Sequence, residues 1–155
     1  MKRGSIAAVL AASLAASAMV PATANAQAKR GLIEIVVWNI RKGIGHVRVD
    51  ICTKTTFVHP HRACPYHGAA PALAGVTTVM VPDVPAGDYA AQVFQDEQDI
   101  GKVPRSVIGL PLVGVGFSND APTPMRSPRF EDALFAYDPN APLTLRIKLR
   151  YYPAL

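Results

Sequence analysis

From residue 143 to residue 151 the chain alternates without interruption. Leu143, Leu145, Ile147, Leu149 and Tyr151 fall on one side, and Thr144, Arg146, Lys148 and Arg150 on the other. Successive side chains leave opposite faces of an extended strand, so a period of two demands a strand with one buried face and one wet face. Such a strand needs neighbours to pair with and a second layer to cover its apolar side. The same alternation runs through 46–52, where Val47, Val49 and Ile51 interleave with His46, Arg48 and Asp50. Residues 32–40 and 76–81 are rich in Ile and Val, and 88–95 reads as a further strand. The 14 prolines and 11 glycines fall mostly between these runs, and no helical stripe appears after the N-terminal segment. The pattern predicts an all-β, antiparallel two-sheet sandwich of about seven strands.

Less regular segments complete the strand count. Residues 55–58 are expected to form a short strand, 59–71 a loop, and 130–137 a strand anchored by Phe130. Between them, 96–128 is an irregular excursion broken by Gly101, Pro104, Gly109, Pro111, Gly114 and Gly116. Loops of that length are uncommon unless they bind something or are ordered by their own contacts.

The first 26 residues read as an export signal. Met1-Lys2-Arg3 is a basic start, an Ala-rich apolar run follows, and Ala24-Asn25-Ala26 fits a small-residue cleavage site. Pro21 and the small residues argue against a membrane anchor, which needs roughly 20 apolar residues. The expectation is a signal peptide, 1–26, and a single β-domain, 27–155, that is periplasmic or secreted and has no transmembrane segment. The formal net charge is +5, and part of it leaves with Lys2 and Arg3. So mild a charge in an exported chain gives no reason to expect a nucleic-acid partner. The two cysteines, Cys52 and Cys64, would meet an oxidising compartment, where an even count favours a disulfide.

Val84-Pro85-Ala86-Gly87-Asp88-Tyr89 is a corner with a physical logic. Pro presets φ, Gly accepts a positive φ, and the Tyr89 ring and hydroxyl can hold the reversal. It resembles turns of transthyretin-like and carboxypeptidase-regulatory sandwiches. Together with D-E-Q-D-I-G-K (residues 96–102), G-L-P, G-V-G-F-S-N-D and F-E-D-A-L-F, it makes residues 32–151 resemble a bacterial exported family known as domain of unknown function 2141. The resemblance implies an immunoglobulin- or prealbumin-like sandwich and no known reaction.

That family's loop usually reads D-E-N-x-N-G-K-x-D, similar to the first half of a calcium loop. A calcium loop needs oxygen ligands at alternating positions and Gly at the sixth. Here Asp96 and Gly101 keep the first and sixth positions, and Gln98 keeps an amide oxygen at the third. Ile100 and Pro104 stand where further ligands are expected, and Asp99 lies at the wrong parity. Asp96, Gln98 and Asp99 are thus the residues through which calcium would bind. The alternative is a turn capped by the Asp96 carboxylate, with no cofactor at all.

Three further groups of residues complete the inventory. Phe117, Ser118, Asn119 and Asp120 form a candidate binding loop. A serine nucleophile would need G-x-S-x-G, and the final Gly is missing. His59, His61 and His67 surround Cys64 in a spacing that matches no zinc finger, so zinc or copper stands beside a disulfide-tethered polar loop. Arg146, Lys148 and Arg150, extended by Arg48, would form a basic row that either discourages edge pairing or touches an anionic envelope surface. No acid–base pair, triad or phosphate loop emerges. The sequence therefore predicts a non-catalytic envelope binding module whose partner is an envelope protein or glycan, with a metal-binding module as the alternative.

Overall fold

The computed structural model describes residues 28–123 and 126–153. The expected signal segment, 1–26, lies outside the described residues. Eight strands form two sheets. They are β1 (Arg30–Ile40), β2 (His46–Cys52), β3 (Tyr66–Pro71), β4 (Gly75–Pro85), β5 (Gly87–Asp96), β6 (Val115–Phe117), β7 (Leu134–Tyr137) and β8 (Leu143–Lys148). The smaller sheet runs β4-β1-β8. The larger runs β3-β2-β5, and the far edge of β5 is shared, with β7 on its first half and β6 on its second. This is the two-sheet, all-β architecture that the alternating runs demand.

Alternation decides which side chains meet between the sheets. Ile33, Ile35 and Val37 of β1 face Val47, Val49 and Ile51 of β2, joined by Val79, Val81, Val93 and Ile147, all at or near zero exposure. Each such side chain, fully buried, contributes about 1.5–3 kcal/mol against an exposed one. The strand expected over 143–151 ends at Lys148, although the alternation of burial continues to Arg150. Leu149 stays buried, but its N–H donates to the Trp38 carbonyl and Arg150 turns to the other sheet. Arg150 and Val115 exchange N–H···O bonds of 2.7 and 3.0 Å, which joins the two sheets at one corner. Gly116 permits this approach, because a Cβ there would sit 2.5 Å from the Lys148 carbonyl oxygen.

Four local expectations are corrected. β8 lies beside β1 in parallel register, Ile33 opposite Leu143 and Trp38 opposite Lys148, although an antiparallel arrangement was expected throughout. The chain crosses from β7 on the larger sheet before entering β8, and that crossover lets the last strand run alongside the first. Residues 55–58 are turns rather than a strand. The Thr53 carbonyl accepts from the N–H groups of Thr56 and Phe57, and the Thr56 hydroxyl accepts from Thr53 N–H, a local alternative to a ladder. The expected loop at 59–71 contains β3, whose Y-H-G-A-A-P has no β-branched residue and is recruited by β2. Residues 130–137 begin as one helical turn, α1 (Phe130–Ala133), before β7.

The corner at Tyr89 closes through its aromatic. Gly87 does not take the positive φ expected of it and enters β5 directly, while the left-handed residue of this region is Asp83 at φ 59. The Tyr89 hydroxyl donates to the Pro85 carbonyl at 3.1 Å, and its ring meets Tyr66 edge-on at 5.7 Å. Burial, reinforced by the neighbouring Tyr66, pushes the Tyr89 hydroxyl pKa up to about 12, so it remains a donor at neutral pH.

Candidate functional site

β5 has two working faces. Tyr89, Ala91 and Val93 point into the core, so Ala90, Gln92, Phe94 and Asp96 point to the outer side of the larger sheet. β2 adds Arg48 and Asp50 to that outer side, opposite Phe94 and Gln92. Polar contacts therefore cross from strand to strand: Gln92 Nε2 donates to Asp50 Oδ2 at 3.0 Å, and Arg48 Nε donates to Asp96 Oδ2 at 2.6 Å.

Asp96 closes the calcium-like loop on itself. Its carboxylate is 1% exposed and accepts from Ile100 N–H at 3.0 Å and Gly101 N–H at 2.7 Å, besides Arg48. Gly101 has φ +72, the conformation that turns its N–H inward. Burial alone would raise the Asp96 pKa. The Gly101 N–H, the Arg48 guanidinium and the Ile100 N–H together outweigh burial and hold the carboxyl below its ordinary range. The other loop residues do not converge on Asp96 as a ligand shell. Gln98 is exposed, Glu97 pairs with Lys42 at 3.6 Å, and Asp99 Oδ1 lies 2.5 Å from His46 Nδ1. The Arg48 guanidinium thus supplies the positive charge beside the buried Asp96 carboxylate.

The candidate loop 117–120 is a structural clip. Ser118 is buried; its hydroxyl accepts from Ala91 N–H at 2.9 Å and donates to the Ala133 carbonyl at 2.5 Å. Asn119 Nδ2 donates to the Leu134 carbonyl at 2.6 Å, and Asp120 pairs with Arg150 at 2.7 Å. Phe117 does not enter the main core. It packs with Phe57, Phe130 and Ala90, Ala121 and Ala133 in a second cluster on the outer side of β5.

Beside that cluster, on the same outer side, lies a cleft of about 530 Å³. Its floor is Gln92, Phe94, Val115 and Phe117. One wall is Val103, Arg105, Leu110 and Pro111 from the long excursion; the other is Val58, His59, Thr123, Arg126 and Tyr152. Gln92 ties floor to wall by accepting from Val58 N–H at 3.4 Å, and the Tyr152 hydroxyl donates to the Thr123 carbonyl at 3.0 Å. The lining residues include two arginines and a histidine and no carboxylate. The volume is in the range of small-molecule sites, which combine apolar walls with a few polar groups. Sequence reasoning flagged the excursion but missed Gln92, Arg105, Arg126 and Tyr152. The available signal was the apolar stretch between Pro104 and Pro111.

The remaining groups are dispersed. Cys52 and Cys64 form the expected disulfide. His59 and His61 are exposed neighbours, whereas His67 lies on β3 opposite Asp50, and the described residues contain no group of three or more His, Cys, Asp or Glu placed to hold a metal. The basic row is not continuous. Lys148 sits 4.8 Å above the Trp38 ring, Arg150 pairs with Asp120, and Arg48 belongs to the other sheet. No helix among the described residues is long and apolar enough to cross a membrane.

These features define a small two-sheet all-β protein with a cleft on the outer face of its larger sheet. The family model described as "Uncharacterized protein conserved in bacteria (DUF2141)" matches residues 35–143, and the chain belongs to that family. No curated protein and no solved structure matches the chain.

Proposed function

We propose that the protein is an exported envelope protein and a non-catalytic binding module, which takes an anionic, partly apolar small molecule in the outer-face cleft. The observation that carries this reading is the lining itself: aliphatic and aromatic walls with Arg105 and Arg126 and no opposing carboxylate. Such a lining favours a ligand with one negative group and an apolar body. The signal-like N-terminus and the Cys52–Cys64 bridge support export. The Asp96 loop serves this module as an internally closed turn at the base of the excursion, without a cofactor.

Titration with an anilinonaphthalene sulfonate or with dodecanoate, followed by amide NMR, tests the reading. Shifts should gather on Gln92, Phe94, Arg105, Leu110 and Tyr152, and Leu110→Asp should weaken them. Shifts scattered over the surface, or none with either probe, would reject the cleft as the binding site.

A further inference from the structure

The segment that walls the cleft has a second, outward side. Residues 105–111 form a tongue that closes on itself. Ser106 N–H donates to the Leu110 carbonyl at 2.8 Å, Gly109 N–H to the Ser106 carbonyl at 2.9 Å, and Leu110 N–H to the Ser106 hydroxyl at 3.2 Å. Arg105 Nη1 donates to the Gly109 carbonyl at 2.9 Å, and Leu112 N–H to the Pro104 carbonyl at 2.9 Å at the base. The tongue therefore holds its shape through bonds within itself. At its tip Val107 is fully exposed and Ile108 is 59% exposed; Leu112 follows at 54%. Single exposed aliphatics are ordinary, but three branched ones within six residues of a protruding loop make a patch that calls for a partner.

Charge says what kind of partner. From Ile100 to Asn119 the chain carries Lys102 and Arg105 and no carboxylate. We infer that the 105–111 tongue inserts Val107 and Ile108 into an anionic phospholipid leaflet, with Lys102 and Arg105 at the headgroup phosphates. Aliphatic side chains enter the acyl boundary while cations remain among anionic headgroups, so both halves of the tongue are matched by one surface. A protein pocket would match the tip less well. Protein interfaces concentrate binding in Trp, Tyr and Arg with hydrogen bonds, whereas this tip offers only Val, Ile and Gly, and the Ser106 hydroxyl is spent inside the tongue. The inference needs no ligand in the cleft, but it shares Arg105 with the cleft lining, so Val107, Ile108 and Lys102 are the residues that test it separately.

Vesicle flotation of the full chain tests it. Binding is expected to vesicles of phosphatidylcholine mixed with phosphatidylglycerol, and little to phosphatidylcholine alone. It should weaken as salt rises from about 0.1 M to about 1 M, over which the screening length falls from about 10 to about 3 Å. Val107→Asp with Ile108→Asp should lower partitioning at least about tenfold, because each aliphatic removed forfeits the burial of a whole side chain. The tip makes no core contact, so an unchanged melting curve would show that the variant folds. Lys102→Glu should reduce the preference for the anionic vesicles. In a Trp38→Phe background, Ile108→Trp should shift its emission to the blue on those vesicles. Absence of flotation, equal flotation of the double variant, indifference to phosphatidylglycerol, or an unshifted Trp emission would each overturn the inference.

Discussion

Replacing Arg48 with Met isolates the interaction that stands in for an ion in the Asp96 loop. Met keeps the apolar stem and removes the guanidinium. Asp96 is 1% exposed, while the Arg48 side chain is 34% exposed, so the pair is buried on one side and wet on the other. Removing one partner of a fully buried pair costs about 3–5 kcal/mol, and a hydrogen bond to a charged group is worth about 1.5–3 kcal/mol. The wet guanidinium and the two surviving N–H bonds, from Ile100 and Gly101, place the expected loss at about 2–3 kcal/mol. For a domain of this size that lowers the melting temperature by about 10 °C. Urea unfolding followed by far-ultraviolet circular dichroism measures it, at pH 7 and again in acid. The folded pKa of Asp96 is depressed, so its contribution is present above the unfolded carboxyl pKa of about 3.9 and is lost as pH falls below that value through the folded pKa. The difference between parent and variant should therefore shrink below about pH 4. A loss under about 0.5 kcal/mol at pH 7, or a difference that persists unchanged into strong acid, would refute the reasoning.

Three other outcomes follow from the same geometry. Calcium should leave the urea midpoint of the parent unmoved, whereas an ion at a hundred times its dissociation constant would add about 2.7 kcal/mol. Ser118→Ala strands Ala91 N–H and the Ala133 carbonyl in a buried site, so a loss of about 2–3 kcal/mol is expected in the same assay. Replacing Cys52 and Cys64 together with Ala should cost about 3 kcal/mol through the restored freedom of the unfolded chain, and the parent should lose a similar amount on reduction.

The parts of the fold legible in the sequence are those decided within a strand. The alternation at 46–52 gives β2 to the residue, because a two-residue period is a local property. The run at 143–151 gives β8 and its buried face in the same way, but it overshoots the strand's end at Lys148, because the crossing of Arg150 to the other sheet is not local. The Tyr89 corner is legible in part, since its hydroxyl reaches Pro85 only four residues back, whereas the Tyr66 ring that packs on it comes from another strand. Elements decided by distant partners are not legible. β3 is a strand because β2 offers it a ladder, and the parallel placement of β8 follows from a crossover between sheets. At the candidate site, Asp96 and Gly101 announce the turn, but the group that neutralises the carboxylate is Arg48, 48 positions earlier on another strand. The cleft is less legible still, since its floor, excursion wall and C-terminal Tyr152 come from separate parts of the chain.

Arg48 also bears on how the loop relates to the cleft. Asp96 is the last residue of β5, and the excursion that walls the cleft departs from it. A carboxylate that drew Ile100 and Gly101 inward without a counter-charge would carry a buried negative group into the start of that wall, and such a group is costly unless paired. A metal ion would supply the charge only while bound, so the departure angle of the excursion would vary with ion concentration. A guanidinium fixed on β2 supplies it permanently and ties the excursion to the central strands of the sheet. Loss of ligands at Ile100 and Pro104 is then compatible with retention of Asp96 and Gly101, because the turn and the ion site make separable demands. The turn needs one carboxylate and one positive φ, supplied by Asp96 and Gly101, whereas an ion needs a shell of several oxygen ligands.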